Sequence, residues 1–133
     1  MNKKTINILL YSLAAIALVV AGFAYYMKEL AKKEYERVEA EYAARPELPI
    51  EISYRSAILG PGLVAIFKNT GNRHLAVVAT FQNPTLKKEE NYRLDLAPQS
   101  IQEVGHAEGW AFASGDTIKL VHNEYKTKTA KLP

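Results

Sequence analysis

The chain has 133 residues, 17 Lys and Arg against 14 Asp and Glu for a net charge of +3, and no cysteine. That length allows one small folded unit beyond any anchoring segment. The missing thiols exclude disulfides, thiolate chemistry, iron–sulfur clusters and cysteine-based zinc sites. Bases and acids are interleaved, with no basic face carrying aromatics, so no groove for nucleic acid is expected.

Ile6 to Met27 is one apolar run without an acid or a base, interrupted only by Asn7 and Ser12. About 20 such residues cross a bilayer as a helix. Lys3 and Lys4 precede the run, and Lys28, Lys32 and Lys33 follow it. A cleavable secretion signal is the alternative, with Gly22-Phe23-Ala24 as its cleavage site. The run exceeds the usual signal core of about 7 to 15 residues, however, and a charged helical pattern follows without a break, which favours a retained anchor. The short basic head predicts an N-in, C-out orientation, with Tyr25 and Tyr26 in the outer interfacial belt. No Asn-x-Ser/Thr acceptor occurs, in keeping with a single-pass protein of a bacterial inner membrane whose C-terminal part is periplasmic.

Lys28 to Ala44 contains no Gly or Pro and closes at Arg45-Pro46, the pattern of a charged helical stalk continuing from the membrane helix. Met27, Ala31, Tyr35, Val38 and Tyr42 recur at helical spacing and mark a semi-apolar stripe. Two readings stand. The stripe is an interface that extends the Ala17/Ala21 small-xxx-small face, toward a copy of itself or another membrane subunit. Alternatively, it is a solvated spacer of roughly 25 Å. The exposed aromatics favour the interface.

After the linker at 46–49 the hydrophobic period changes to two. Ile50, Ile52 and Tyr54 alternate with polar residues, Leu63 to Phe67 is a dense apolar run, and Leu75, Val77, Ala79 and Phe81 alternate next, followed by Tyr92, Leu94 and Leu96. Ile101–Val104, Trp110–Ala113, Ile118–His122 and Tyr125–Ala130 are shorter strand candidates. Turn chemistry separates them at Gly60-Pro61-Gly62, Asn69-Thr70-Gly71-Asn72, Asn83-Pro84-Thr85, Ala97-Pro98-Gln99, Ser114-Gly115-Asp116 and His122-Asn123. The expected organisation is therefore an anchor over 1–27, a stalk over 28–45, a linker over 46–49 and an all-β antiparallel sandwich with Greek-key links over 50–133. An open barrel is the alternative. Lys126, Lys128 and Lys131 fit charges that discourage pairing along an edge strand.

The stretch Ala65-Ile66-Phe67-Lys68-Asn69-Thr70-Gly71-Asn72-Arg73-His74-Leu75, with Arg93-Leu94-Asp95-Leu96-Ala97-Pro98 after it, resembles immunoglobulin-like modules of bacterial envelope proteins. The likeness covers about 40 residues and lacks the Cys–Trp–Cys core of antibody domains. It implies a module that binds or spaces and does not catalyse.

Gly105 to Phe112 places His106, Glu108, Trp110 and Phe112 between glycines. Trp110 reads either as a core plug, the favoured reading, or as an anchor in a recognition loop with His106. His74, His106 and His122, with Asp95, Glu103, Glu108 and Asp116, show no metal-ligand spacing, so a metal site is not expected. Ser53, Ser56, Ser100 and Ser114 lack a nucleophile elbow, and Gly60-Pro61-Gly62 lacks the amide donors of a phosphate cradle. No catalytic residue and no cofactor is predicted. The expected function is a membrane-anchored accessory or assembly subunit of an inner-membrane complex. Its contacts are assigned to Ala17, Ala21, Ala31, Tyr35, Val38, Tyr42, His106 and Trp110, and its partners are lipid and other membrane subunits or a second copy. A free-standing envelope ligand-binding protein and a metal-dependent hydrolase are the alternatives.

Overall fold

The computed structural model describes residues 2–133 and divides into two compact units, one ending at Ala44 and the other running Arg45–Pro133. The first is a single helix, α1 (Lys3–Ala43), of 41 unbroken residues with no buried side chain. Asn2 caps its start by accepting from the Lys4 amide. Ser12, within the apolar stretch, donates to the Ile8 carbonyl at 2.8 Å and so satisfies itself inside the helix. The helix stops just before Arg45-Pro46, because proline disfavours a helical residue before it and offers no amide hydrogen. At 1.5 Å per residue, α1 is about 62 Å long. Its most apolar 18-residue window has a mean hydropathy of 2.3, so the helix is long and apolar enough to cross a membrane.

The second unit holds seven strands: β1 (Ile50–Ser56), β2 (Leu63–Asn69), β3 (Leu75–Asn83), β4 (Lys88–Leu96), β5 (Ile101–Val104), β6 (Thr117–Val121) and β7 (Lys128–Lys131). They form two antiparallel sheets, β1-β2-β5 and β4-β3-β6-β7. The chain changes sheet after β2, β4 and β5, so both layers are interleaved in sequence. The inward faces follow the alternation in the sequence: Leu75, Val77, Ala79 and Phe81 of β3, Leu94 and Leu96 of β4, and Ala65 and Phe67 of β2 are all buried. Each large apolar side chain withdrawn in this way contributes about 1.5–3 kcal/mol.

Phe81 centres the core. Its ring lies 4.8 Å from Phe112 in an edge-on contact, 5.9 Å from Trp110 and 6.1 Å from Phe67 of the opposite sheet. Side chains close both open flanks between the sheets. The Asp95 amide on edge strand β4 donates to Gln102 Oε1 of β5 at 3.2 Å, and Lys128 Nζ of β7 donates to the Ile50 carbonyl of β1. Lys128 and Lys131 do lie on an edge strand, whereas Lys126 precedes it.

Three expectations are revised. Trp110–Ala113 is not a strand: a 3₁₀ turn at His106–Glu108 leads into it, and only Phe112 bridges to Leu63. The turn forms because Glu108 accepts from the Gly105 amide at 2.8 Å, while the Trp110 amide returns to the Gly105 carbonyl. A Cβ at Gly105 would stand 2.7 Å from Val64 Cγ2, so a larger residue there would force Val64 to shift. The last strand begins at Lys128, not Tyr125, because the Tyr125 and Lys126 amides bond to the His122 and Pro46 carbonyls. The 46–49 segment, expected as a linker, is stitched to the domain: Leu48 is buried and the Pro49 carbonyl accepts from Thr70.

Candidate functional site

Two surfaces present exposed side chains. The first is on α1, where Ala17, Ala21, Ala31, Tyr35, Val38 and Tyr42 are all exposed. Their spacing of three, four or seven residues within each half of the helix places them on a shared stripe. Tyr35 and Val38 are 67% and 51% exposed, beyond the apolar run and among charged neighbours. Arg37 lies beside the stripe and bridges Glu34 at 2.5 Å and Glu41 at 3.4 Å.

The second surface is one end of the β domain. Antiparallel pairing brings the 57–62, 84–87 and 105–116 loops together, opposite the end where the chain enters through 46–49. Ile58 and Leu59 project there at 87% and 85% exposure, more than any large apolar residue of α1. Gly60 follows with φ +86°, and a Cβ at that position would collide with the His106 ring, so the loop backs tightly onto the 3₁₀ turn. On the other side of His106, a recess of about 360 Å³ is walled by Leu86, Lys88 and Trp110. Leu86, 72% exposed, is set by its amide donating to Asn83 Oδ1 at 2.8 Å. Lys88 Nζ sits 5.1 Å above the Trp110 ring. Two aliphatic knobs, a third beside a recess, and a histidine between them form a surface suited to another macromolecule.

Of the residues expected in a recognition loop, His106 is exposed at this end but Trp110 is not. The indole is 3% exposed and packs on Phe81 and Phe112. The core reading holds, and the anchor standing proud of the surface is corrected. The two large apolar residues ahead of Gly60-Pro61-Gly62, where polar turn residues are usual, were the available signal for Ile58 and Leu59.

Among the described residues, no three His, Asp or Glu side chains gather as metal ligands. His74 Nε2 contacts the Asp95 carboxylate. His122 faces Tyr125 and accepts from the Glu124 amide, at the end away from His106. Arg55 Nη2 meets Glu103 at 2.7 Å, and its hydrogen bond holds that carboxyl below the ordinary range. Desolvation raises the pKa of Tyr54, whose hydroxyl is buried with no hydrogen-bond partner among the described residues. Asn69, expected as a turn residue, is fully buried: its Nδ2 faces the Arg73, Leu96 and Ala97 carbonyls at 2.7–3.3 Å, and its Oδ1 accepts from Gly71.

Compared with models of protein families and with curated proteins, the chain matches none.

Proposed function

We propose that this chain is a membrane-anchored, non-enzymatic accessory or assembly subunit of a bacterial inner-membrane complex, with its β domain in the periplasm acting through protein contacts. The observation that carries this reading is a division of labour in the burial pattern. No side chain in the apolar window of α1 is buried, whereas the β domain closes its own core from both sheets. Lipid is the medium that takes up such a helix without leaving backbone groups unpaired. Its charged half then serves as a stalk. The sheet order β1-β2-β5 against β4-β3-β6-β7 supports an immunoglobulin-like Greek key, and the α1 stripe and the Ile58/Leu59 end supply contact surfaces.

Three measurements test the reading. Alkaline carbonate washing of native membranes is expected to leave the intact chain in the pellet, and release of the chain sinks the anchor. A reporter fused after Pro133 is expected to be active only outside the cytosol. Native mass measurement after gentle detergent extraction is expected to show a stoichiometric assembly, and a lone monomer contradicts the subunit role.

A further inference from the structure

The stripe on α1 is longer and more regular than its exposed aromatics alone indicate. Steps of three and four residues carry it through Ala14, Ala17, Ala21 and Ala24, a run of small side chains on one face of the apolar half. The same steps continue through Lys28 to Ala31, Tyr35, Val38 and Tyr42 on the uninterrupted helix. An average step of 3.5 is the heptad seam by which one helix packs along another. Every acid and base from Glu29 to Glu41 lies off that seam. Small residues in the lipid-length half and larger apolar residues in the charged half suit close approach in the first and water exclusion in the second.

The charges on and beside the seam decide what can cover it. Lys28 sits on the seam, Glu34 and Glu41 flank one side of it, and Lys32 and Glu39 flank the other. A parallel pair of copies would set Lys28 against Lys28, and Glu34 of each copy against Glu39 of the other. Arg37 partly neutralises Glu34 and Glu41 within its own helix, but among the described residues Lys28 and Glu39 make no ion pair. Asn7 lies on the same face near the N-terminal end and could pair with its own copy, so the opposition to self-pairing rests on the charges at Lys28, Glu34 and Glu39. Self-pairing is therefore disfavoured by like charge along a seam that is otherwise well formed.

Resting on the anchored-subunit reading, we infer that this seam docks a membrane-crossing helix of a different protein. That helix carries a small or apolar seam, an acid level with Lys28, and bases level with Glu34 to Glu41. It takes precedence over a second copy of this chain.

The absence of cysteine makes a direct test possible. Full-length chain carrying Ala31→Cys on the seam, or Lys33→Cys off it, is reconstituted in lipid vesicles and oxidised. The probe is a full-length copy with Lys28→Glu, Glu34→Lys and Glu39→Lys, which presents the complementary charges. With both chains carrying Ala31→Cys, disulfide between unreversed and reversed copies is expected at least about tenfold above that between two unreversed copies, and Lys33→Cys is expected to give none. Equal or stronger pairing of unreversed copies overturns the inference in favour of a homo-oligomer. Equal crosslinking at Ala31→Cys and Lys33→Cys overturns the seam itself. Carbonate washing of the same vesicles separates the two levels: a chain that washes out refutes the anchor, whereas a retained chain with unselective pairing refutes only the docking inference.

Discussion

The Trp110 indole donates its Nε1 hydrogen to Asp116 Oδ2 at 3.3 Å inside the core, and the same oxygen accepts from the Ala113 amide at 3.0 Å. One carboxylate thus joins the ring that follows the 3₁₀ turn to the tight loop that opens β6. Asp116→Ala strands both donors and is expected to lower the unfolding free energy by about 1–3 kcal/mol. Asp116→Asn keeps an acceptor and is expected to lose less. Urea melts of the two variants check the order, and no loss in Asp116→Ala would show that the bonds contribute nothing.

Asn69 is a small crosslink between loops, its amide donating among three carbonyls while its oxygen holds Gly71. Asn69→Ala is expected to cost about 1–3 kcal/mol by leaving those groups unpaired. Asn69→Asp is expected to cost more, because a carboxylate then faces carbonyl oxygens. Hydrogen exchange at the Gly71 amide should quicken in Asn69→Ala, which removes its acceptor, and not in Asn69→Asp, which keeps an oxygen for it.

Tyr54 buries its hydroxyl oxygen without a hydrogen-bond partner among the described residues. Replacing it by phenylalanine removes an unsatisfied group of the same shape, so Tyr54→Phe is expected to be neutral or to stabilise by up to about 1 kcal/mol. Its raised pKa, caused by desolvation, has a definite sign. The unfolded chain loses the phenolic proton first, so wild-type stability falls as pH rises past the ordinary tyrosine value and on through the raised one. Thermal melts across that alkaline range should show a smaller decline in Tyr54→Phe.

Glu103 behaves in the opposite sense. Its carboxyl is held low by the Arg55 hydrogen bond, so the contribution is complete above the ordinary carboxylate pKa and is lost as pH falls through the depressed one. Arg55→Gln is expected to flatten that part of the acid limb, and high salt to reduce the difference, because both side chains are solvent-accessible. A limb unchanged by the substitution would remove the pair from the stability balance.

Ile58 and Leu59 stand almost wholly in solvent. Changing both to serine is therefore expected to alter stability by no more than about 0.5 kcal/mol. If this end is a contact surface, the same change reduces recovery of the native assembly from membranes while the urea midpoint holds. A large drop in stability would instead mean that the loop is structural.

The sheets were legible where one face of a strand is dry. In β3 the four residues Leu75, Val77, Ala79 and Phe81 recur at every second position, and all four are buried. The helix boundary near Pro46 was legible for steric reasons that act locally. The segment after Gly105 was not, because its apolar spacing imitates a strand and only the Glu108 carboxylate on the Gly105 amide reveals the turn. The exposed end was missed for a related reason: hydrophobicity alone places Ile58 and Leu59 inside. Asn69 carried a turn signal that was correct but incomplete, since one amide serves the turn and the interior together. The pairing of His74 with Asp95 depends on the register of β3 and β4, which residue types do not encode.

The stitching of Pro46, Leu48 and Pro49 to the β domain bears on how force reaches it. Only Ala44 and Arg45 lie between the last helical residue and the Lys126–Pro46 bond, about 7 Å of contour at full extension. A pull on the helix is therefore delivered almost without slack to the first strand and the hydrogen bonds that fasten it. A domain joined so briefly to its helix takes up tension first at the hydrogen bonds of Pro46 and Pro49 and then at the pairing of β1 with β2.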